Sequence, residues 1–369
     1  MFTSLKGLKP SGDSLNFQKL ILPCGFYLIL KLFSIAIIYA TFEQLFSRPF
    51  FFSGSDMVTY LTCEPTTPNI LYSYSICFLN ITRLADSQAI TLGLFLNTAK
   101  DLAFIIIVYC ITNRRVCMIF VIFLSLHPFL ALSHPQYTTT VFSSISLLLV
   151  FAYDTKSTWL KTTFFSNRFL ITASSILIGF RYSNAVIFLL YFVFKNYKNF
   201  YFMSFLFICT LSSFWFSWNY IYSFISYSLN AQNYILSFDK IFTLVKVTDI
   251  AVIDYFLATI LYLFTHLIAL TGFREAAANN FYNYFFPIDA KSVAQFILFS
   301  TFSLFHIFGV AAFCVHFRQY KGIVFCVIIN ILVCCLFLTH IRYFIHIIPL
   351  SLLGCSVFLD KKIITKKIH

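Results

Sequence analysis

Four short stretches of this 369-residue chain carry side chains that could do chemistry. The first is Ser53-Gly54-Ser55-Asp56-Met57-Val58-Thr59-Tyr60. Its Asp56 suits a general base or a ligand for a divalent cation, although Gly-Ser-Asp is equally good turn chemistry. The second is His134-Pro135-Gln136-Tyr137-Thr138. A proline after a turn residue also starts helices in the ordinary way. The third is Arg181, in Gly179-Phe180-Arg181-Tyr182. A guanidinium offers a fixed fork of donors that fits phosphate oxygens, and its long stem also lets it snorkel from apolar surroundings to an interface. The fourth is Arg342-Tyr343, flanked by His340 and His346 and followed by Pro349. The candidate set is therefore Asp56 as the catalytic group, with Tyr60, His134, Arg181, Arg342 and Tyr343 for substrate or phosphate binding. No metal site is predicted, and no cofactor is readable.

Other chemistry is missing or weaker. The chain has no phosphate-binding glycine loop, no dinucleotide fingerprint, no HExxH and no GxSxG. ATP-driven and zinc-protease chemistry are thereby excluded. Eleven cysteines lie scattered, nearly all in apolar runs, and read as small hydrophobes rather than a disulfide or metal framework. Lys100 and Asp101 are neighbours inside an apolar run; adjacent helical positions point to different faces, so they are not expected to pair. A polar aromatic segment, Asn279-Asn280-Phe281-Tyr282-Asn283-Tyr284, suits a sugar or an aromatic belt at a membrane interface.

These residues must be positioned by elements of an unusual kind. Hydrophobic residues make up 60% of the chain and charged residues 11%, against roughly 45–50% and about 25% in soluble domains. Mean hydropathy is +0.84. The 50 phenylalanines fit lipid-facing positions, which ask only for apolarity. Soluble, disordered and fibrous proteins are excluded, and the expectation is an all-α polytopic membrane protein. The net charge of +13 would suggest nucleic acid in a soluble chain. Here the basic residues sit in short clusters between apolar runs: Arg114-Arg115, Lys156 with Lys161, Lys195 with Lys198, Arg318 with Lys321, and Lys361 through Lys367. That is the positive-inside pattern, so nucleic acid is not a partner.

Spans of about 20 apolar residues are expected at Leu20–Phe42, Ala89–Ile111, Val116–Leu132 and Tyr137–Tyr153. Further spans are expected at Phe200–Tyr222, Ala251–Gly272, Val293–Val315, Ile323–Thr339 and Tyr343–Leu359. The run Phe169–Phe194 has Arg181 near its middle, which favours two short helices with the arginine at an outer tip. The whole chain, 1–369, is read as a single membrane domain of about 10–12 helices. Residues 1–19 form a cytoplasmic tail, and residues 43–88 an acidic outer loop with a surface helix near Ile70–Ile81. The spans alternate to an outside C-terminus, whereas Lys361–Lys367 argues for inside.

Taken in order, the four stretches resemble the GT-C superfamily of integral-membrane glycosyltransferases, which use polyprenyl-phosphate-linked sugars. Asp56, with Tyr60 four residues on, resembles the acidic residue of that family's first outer loop. The hydroxyl-rich run His134-Pro135-Gln136-Tyr137-Thr138-Thr139-Thr140 is similar to its small-residue helix after a proline. Ile178-Gly179-Phe180-Arg181 and the Arg342-Tyr343…Pro349 segment match its glycine–arginine and arginine–tyrosine segments. The resemblance implies a GT-C-like fold and transfer of a sugar from a polyprenyl-phosphate donor to an acceptor, in cell-envelope glycan assembly. Its implied partners are the lipid-linked donor, a glycan or lipid acceptor and membrane lipids. Asp56 would take the proton of the acceptor hydroxyl, while Arg181 and Arg342 stabilise the departing phosphate. The implied location is the outer face of the bacterial inner membrane. Two rivals share the composition: an O-antigen or capsule repeat-unit polymerase, and a polysaccharide flippase or transporter. The transporter class calls for internal repeats and broken helices with charges at the membrane midplane, whereas no repeat is evident here and the charges are expected to cluster at one outer face. The transferase reading calls for Asp56, Arg181 and Arg342 to converge on one outward cavity.

Overall fold

The computed structural model describes residues 17–42, 86–134, 139–155, 167–181, 184–196, 305–337 and 346–366, with a few single positions between them. Every regular element among the described residues is an α-helix. In chain order they are α1 (Phe17–Phe42), α2 (Asp86–Ile111), α3 (Arg114–Leu126), α4 (Pro128–Ser133) and α5 (Thr139–Thr155). Then come α6 (Asn167–Phe180), α7 (Asn184–Asn196), α8 (Phe305–His316), α9 (Lys321–Phe337) and α10 (Ile348–Lys366). The all-α expectation therefore holds. Among the described residues, two helices contain stretches long and apolar enough to cross a membrane, Gln18–Ile37 in α1 and Thr91–Ile111 in α2. The expected spans Phe200–Tyr222 and Ala251–Gly272, and most of the 43–88 loop, lie outside the described residues.

The helices begin and end where local chemistry dictates. After α2 the Thr112 hydroxyl donates to the Val108 carbonyl at 2.6 Å, satisfying a terminal acceptor. Asn113 is extended, and its side-chain oxygen accepts from the Val116 amide at 2.8 Å, an N-cap that starts α3. The expected single span Val116–Leu132 is broken instead. Pro128 forces the residue before it out of the helical region, and His127 accordingly has φ −66° and ψ 118°. The His127 ring nitrogen Nδ1 then caps α4 by accepting from the Leu130 amide at 3.3 Å. A second break falls at Arg181, as expected. There the Asn184 side-chain amide donates to the Leu177 carbonyl at 2.8 Å, and its oxygen accepts from the Ser143 hydroxyl at 2.7 Å. Arg181 itself is buried rather than presented at an open tip.

The chain divides into two compact units, Met1–Leu189 with Phe308–Val324 and Ile345–His369, and Leu190–Ile307 with Phe325–Phe344. In the first unit α1, α2 and α3 pack side by side, with α10 against α3 and α5 against both α2 and α6. α1 and α3 run parallel: Lys31 reaches Leu124, and Cys24 lies near Cys117, the same interval earlier on both. α8 and α10 cross where their backbones nearly touch. A Cβ on Gly354 would collide with the Gly309 carbonyl, and one on Gly309 with the Ser351 carbonyl. Only glycine permits that approach, the small-residue packing that membrane helices use. In the second unit Phe194 packs on Phe325 with ring centroids 5.3 Å apart, and the Lys195 ammonium sits 5.5 Å from the Tyr191 ring.

α1 stands out by exposing apolar side chains along its outward face while burying polar ones. α1 turns Ile21, Leu22, Leu28, Ile29, Leu32, Phe33 and Ile37 outward, Ile29 at 69% exposure, and buries Tyr27, Lys31 and Ser34. α2 exposes Phe95 and buries Asn97, Lys100 and Asp101 together with Phe104, Ile105, Ile107 and Val108. α8 exposes Ile307, Phe308 and Val315 and buries His306. In water the exposed apolar side chains of α1 and the buried charges Lys31, Lys100 and Asp101 would each cost free energy, by hydration of apolar surface and by desolvation of charge.

Candidate functional site: a buried ion cluster and a helix break

The sharpest concentration of polar chemistry among the described residues lies between α1, α2 and the end of α4. Its centre is Asp101, 1% exposed and at the midpoint of the Thr91–Ile111 stretch. The Tyr27 hydroxyl of α1 donates to Asp101 Oδ2 at 2.7 Å. The Lys100 ammonium lies 3.3 Å from Asp101 Oδ1 and donates to the Asn97 side-chain oxygen at 3.1 Å. Lys31, 2% exposed, is within electrostatic reach of Asp101 and donates to the Leu124 carbonyl at 3.1 Å. His134 completes the cluster. Its Nδ1 is 3.7 Å from Asp101 Oδ2, and its Nε2 shares a hydrogen bond of 3.0 Å with the Thr98 hydroxyl. The His134 carbonyl accepts from the Asn97 amide at 2.9 Å.

The break at His127 makes this assembly. A helix continuing straight past Leu126 would carry residue 134 toward the start of α2. Bent at Pro128, α4 brings His134 to Asn97 and Thr98, about one turn from Asp101. The expectation that Lys100 and Asp101 would not pair is overturned for a related reason. α2 is enclosed by α1, α3 and α5, so more than one of its faces is interior, and the flexible lysine stem bends to its neighbour.

A second polar group surrounds the break between α6 and α7. Arg181 is buried there, beside the Asn184–Ser143 pair. Phe142 stacks on Phe180 with centroids 4.2 Å apart, and Tyr72 meets Phe142 edge-on at 6.3 Å. Leu71 fills the space where a side chain at Gly179 would go.

At the other end of the first unit Asp360 of α10 accepts from the Asn113 side-chain amide at 2.9 Å and lies 3.8 Å from the Arg115 guanidinium. A similar device joins α5 and α9: Asp154, at the end of α5, accepts from the Ile323 amide in the first turn of α9 at 3.0 Å. Tyr320, in the turn before α9, has its hydroxyl pushed up by burial, with a smaller push from Asp154, against a hydrogen bond from Gln319.

Of the expected site residues, the structure therefore places His134 in the ion cluster and Arg181 at the α6–α7 break. Asp56, Tyr60, Arg342 and Tyr343 lie outside the described residues. Lys31, Tyr27, Asn97, Thr98 and Asp101 were not among the expected site residues. A lysine alone in the middle of an apolar run was the available signal, because such a charge is costly in a bilayer. No group of three or more histidine, cysteine or acidic residues fit to hold a metal occurs among the described residues. The described cysteines are free thiols. No family model, no curated protein and no solved structure matches this chain.

Proposed function

We propose that this chain is a polytopic membrane glycosyltransferase of GT-C type, moving a sugar from a polyprenyl-phosphate donor to a glycan or lipid acceptor. The membrane part of the reading is supported by the apolar outward face of α1 and by the charges Lys31, Lys100 and Asp101 buried between helices. The observation that carries the transferase part is Arg181, a phosphate-matching guanidinium fixed at a helix break among Tyr72, Phe142, Phe180, Ser143 and Asn184. Rings, an amide and a hydroxyl suit a sugar, and the arginine suits its phosphate. In the reaction the acceptor oxygen attacks the anomeric carbon and the carbon–oxygen bond to phosphate breaks. Asp56 takes the hydroxyl proton, and Arg181 and Arg342 meet the charge growing on the leaving phosphate. A single displacement inverts the anomeric centre. The site faces outward from the bacterial inner membrane.

The test is transfer from a radiolabelled polyprenyl-phosphate sugar in membranes that carry the protein. Arg181→Ala and Asp56→Asn should each slow transfer about 100-fold or more, the first by removing a transition-state donor and the second by removing the general base. Transfer at the parental rate in both variants sinks the reading. A second reading, a flippase or transporter, is favoured by one observation: the charged cluster sits midway along α2 beside a helix broken at His127. Movement of a lipid-linked oligosaccharide across proteoliposomes, without any bond made or broken, would establish it instead.

A further inference from the structure

Two basic stretches far apart in sequence meet at one end of the first unit. Arg114 and Arg115 open α3, and both are exposed. Asp360 of α10 reaches that turn through Asn113 and Arg115, so Lys361 and Lys362, which follow it directly in α10, arrive at the same place. Lys19 stands there too, exposed in the first turn of α1, which runs parallel to α3. Arg114, Arg115 and Lys19 thus stand at the end of the unit to which Asp360 brings the helix segment bearing Lys361 and Lys362.

Topology alone asks only for basic residues in a loop, wherever each lies. The arrangement here is more demanding. α3 has no acidic residue in its first turn and carries two arginines there, at the positive end of its dipole, where cations are unfavourable. Asp360 answers one of those charges at 3.8 Å, a long distance for an ion pair, with the Arg115 side chain half exposed. The apolar outward face of α1 ends at this level, so phospholipid headgroups are what lies against it.

We infer that this surface is a binding site for the headgroup of an anionic phospholipid. The phosphate and its neighbouring carboxylate or hydroxyls occupy the space between the α2–α3 turn and the end of α10. Arg114 and Arg115 donate to the phosphate, and Lys361, Lys362 and Lys19 add charge. A bound headgroup ties α10 to the α2–α3 turn and so holds α1, α3 and α10 together. The inference rests on the membrane reading and is independent of glycosyl transfer.

The experiment uses the full chain in nanodiscs of phosphatidylcholine alone or with phosphatidylserine admixed, reading lipid retained by native mass spectrometry and thermal unfolding. Anionic lipid should be retained selectively and should raise the unfolding temperature. Arg114→Gln with Arg115→Gln should weaken retention by about 25-fold, roughly fivefold for each charge. Arg318→Gln with Lys321→Gln, a basic pair not joined to this site, should leave it unchanged. Lys361→Gln with Lys362→Gln lies past the apolar part of α10, so it reports even where the arginine variant does not insert. Equal retention in all variants overturns the inference while leaving the membrane reading intact. A chain that alkaline carbonate strips from membranes defeats the membrane reading itself. Retention of inorganic phosphate alone, without lipid, overturns the lipid assignment.

Discussion

Replacing Asp101 by asparagine removes a charge while keeping its shape and the acceptor for Tyr27, so it isolates the electrostatics of the cluster. At an effective dielectric of about 20, Coulomb's law puts a pair 3.3 Å apart near 5 kcal/mol, and Lys31 adds a further attraction. Desolvation of the ions offsets part of this gain in the wild type. It is not recovered when one partner is deleted, because the two ammonium groups stay buried. Losses of about 3–5 kcal/mol are typical of breaking such pairs. The expected result is that Asp101→Asn unfolds about 3–5 kcal/mol more easily in mixed micelles, with Lys31 and Lys100 left uncompensated. Lys100→Met combined with Asp101→Asn should recover part of that loss, since one buried ammonium is removed with the carboxylate while Lys31 still lacks its counter-charge. A loss below about 1 kcal/mol in the single variant would mean that the cluster is screened like a surface pair, and the reasoning would fail.

Two further outcomes follow from the packing. Gly354→Ala puts a methyl group against the Gly309 carbonyl and Phe313 amide, so α8 and α10 must separate; a destabilisation of about 1–3 kcal/mol should appear in thermal unfolding. Asp154→Ala leaves the buried Ile323 amide without its acceptor and should cost about 1–3 kcal/mol, whereas Asp154→Asn keeps an acceptor and should be nearly neutral.

The helix boundaries show how far local rules reach. α1, α2 and α5 fall within a few residues of the apolar runs Leu20–Phe42, Ala89–Ile111 and Tyr137–Tyr153, because an apolar run with polar ends has one helical solution. Arg181 interrupts its apolar run where a charge in the middle of that run favoured a break. The break at His127-Pro128 was equally legible, since proline restricts the residue before it, yet apolarity across Val116–Leu132 masked it. Parity of the spans left the end of the chain unassigned. The Asn113–Asp360 bond brings the basic end of α10 to Arg114-Arg115, the same side.

Composition and the spacing of apolar runs were sufficient for the helical class of this protein and for most helix limits, because both depend on residues close together in the chain. Which residues meet was decided only by the tertiary structure. Tyr27, Asp101 and His134 come from three helices, and nothing in the chain between them specifies that they meet. Lys100 and Asp101 looked mismatched on an isolated helix and pair once α2 is enclosed on several sides. Burial changes the energy of a charge by far more than local propensity does, and burial is a property of the assembled helices.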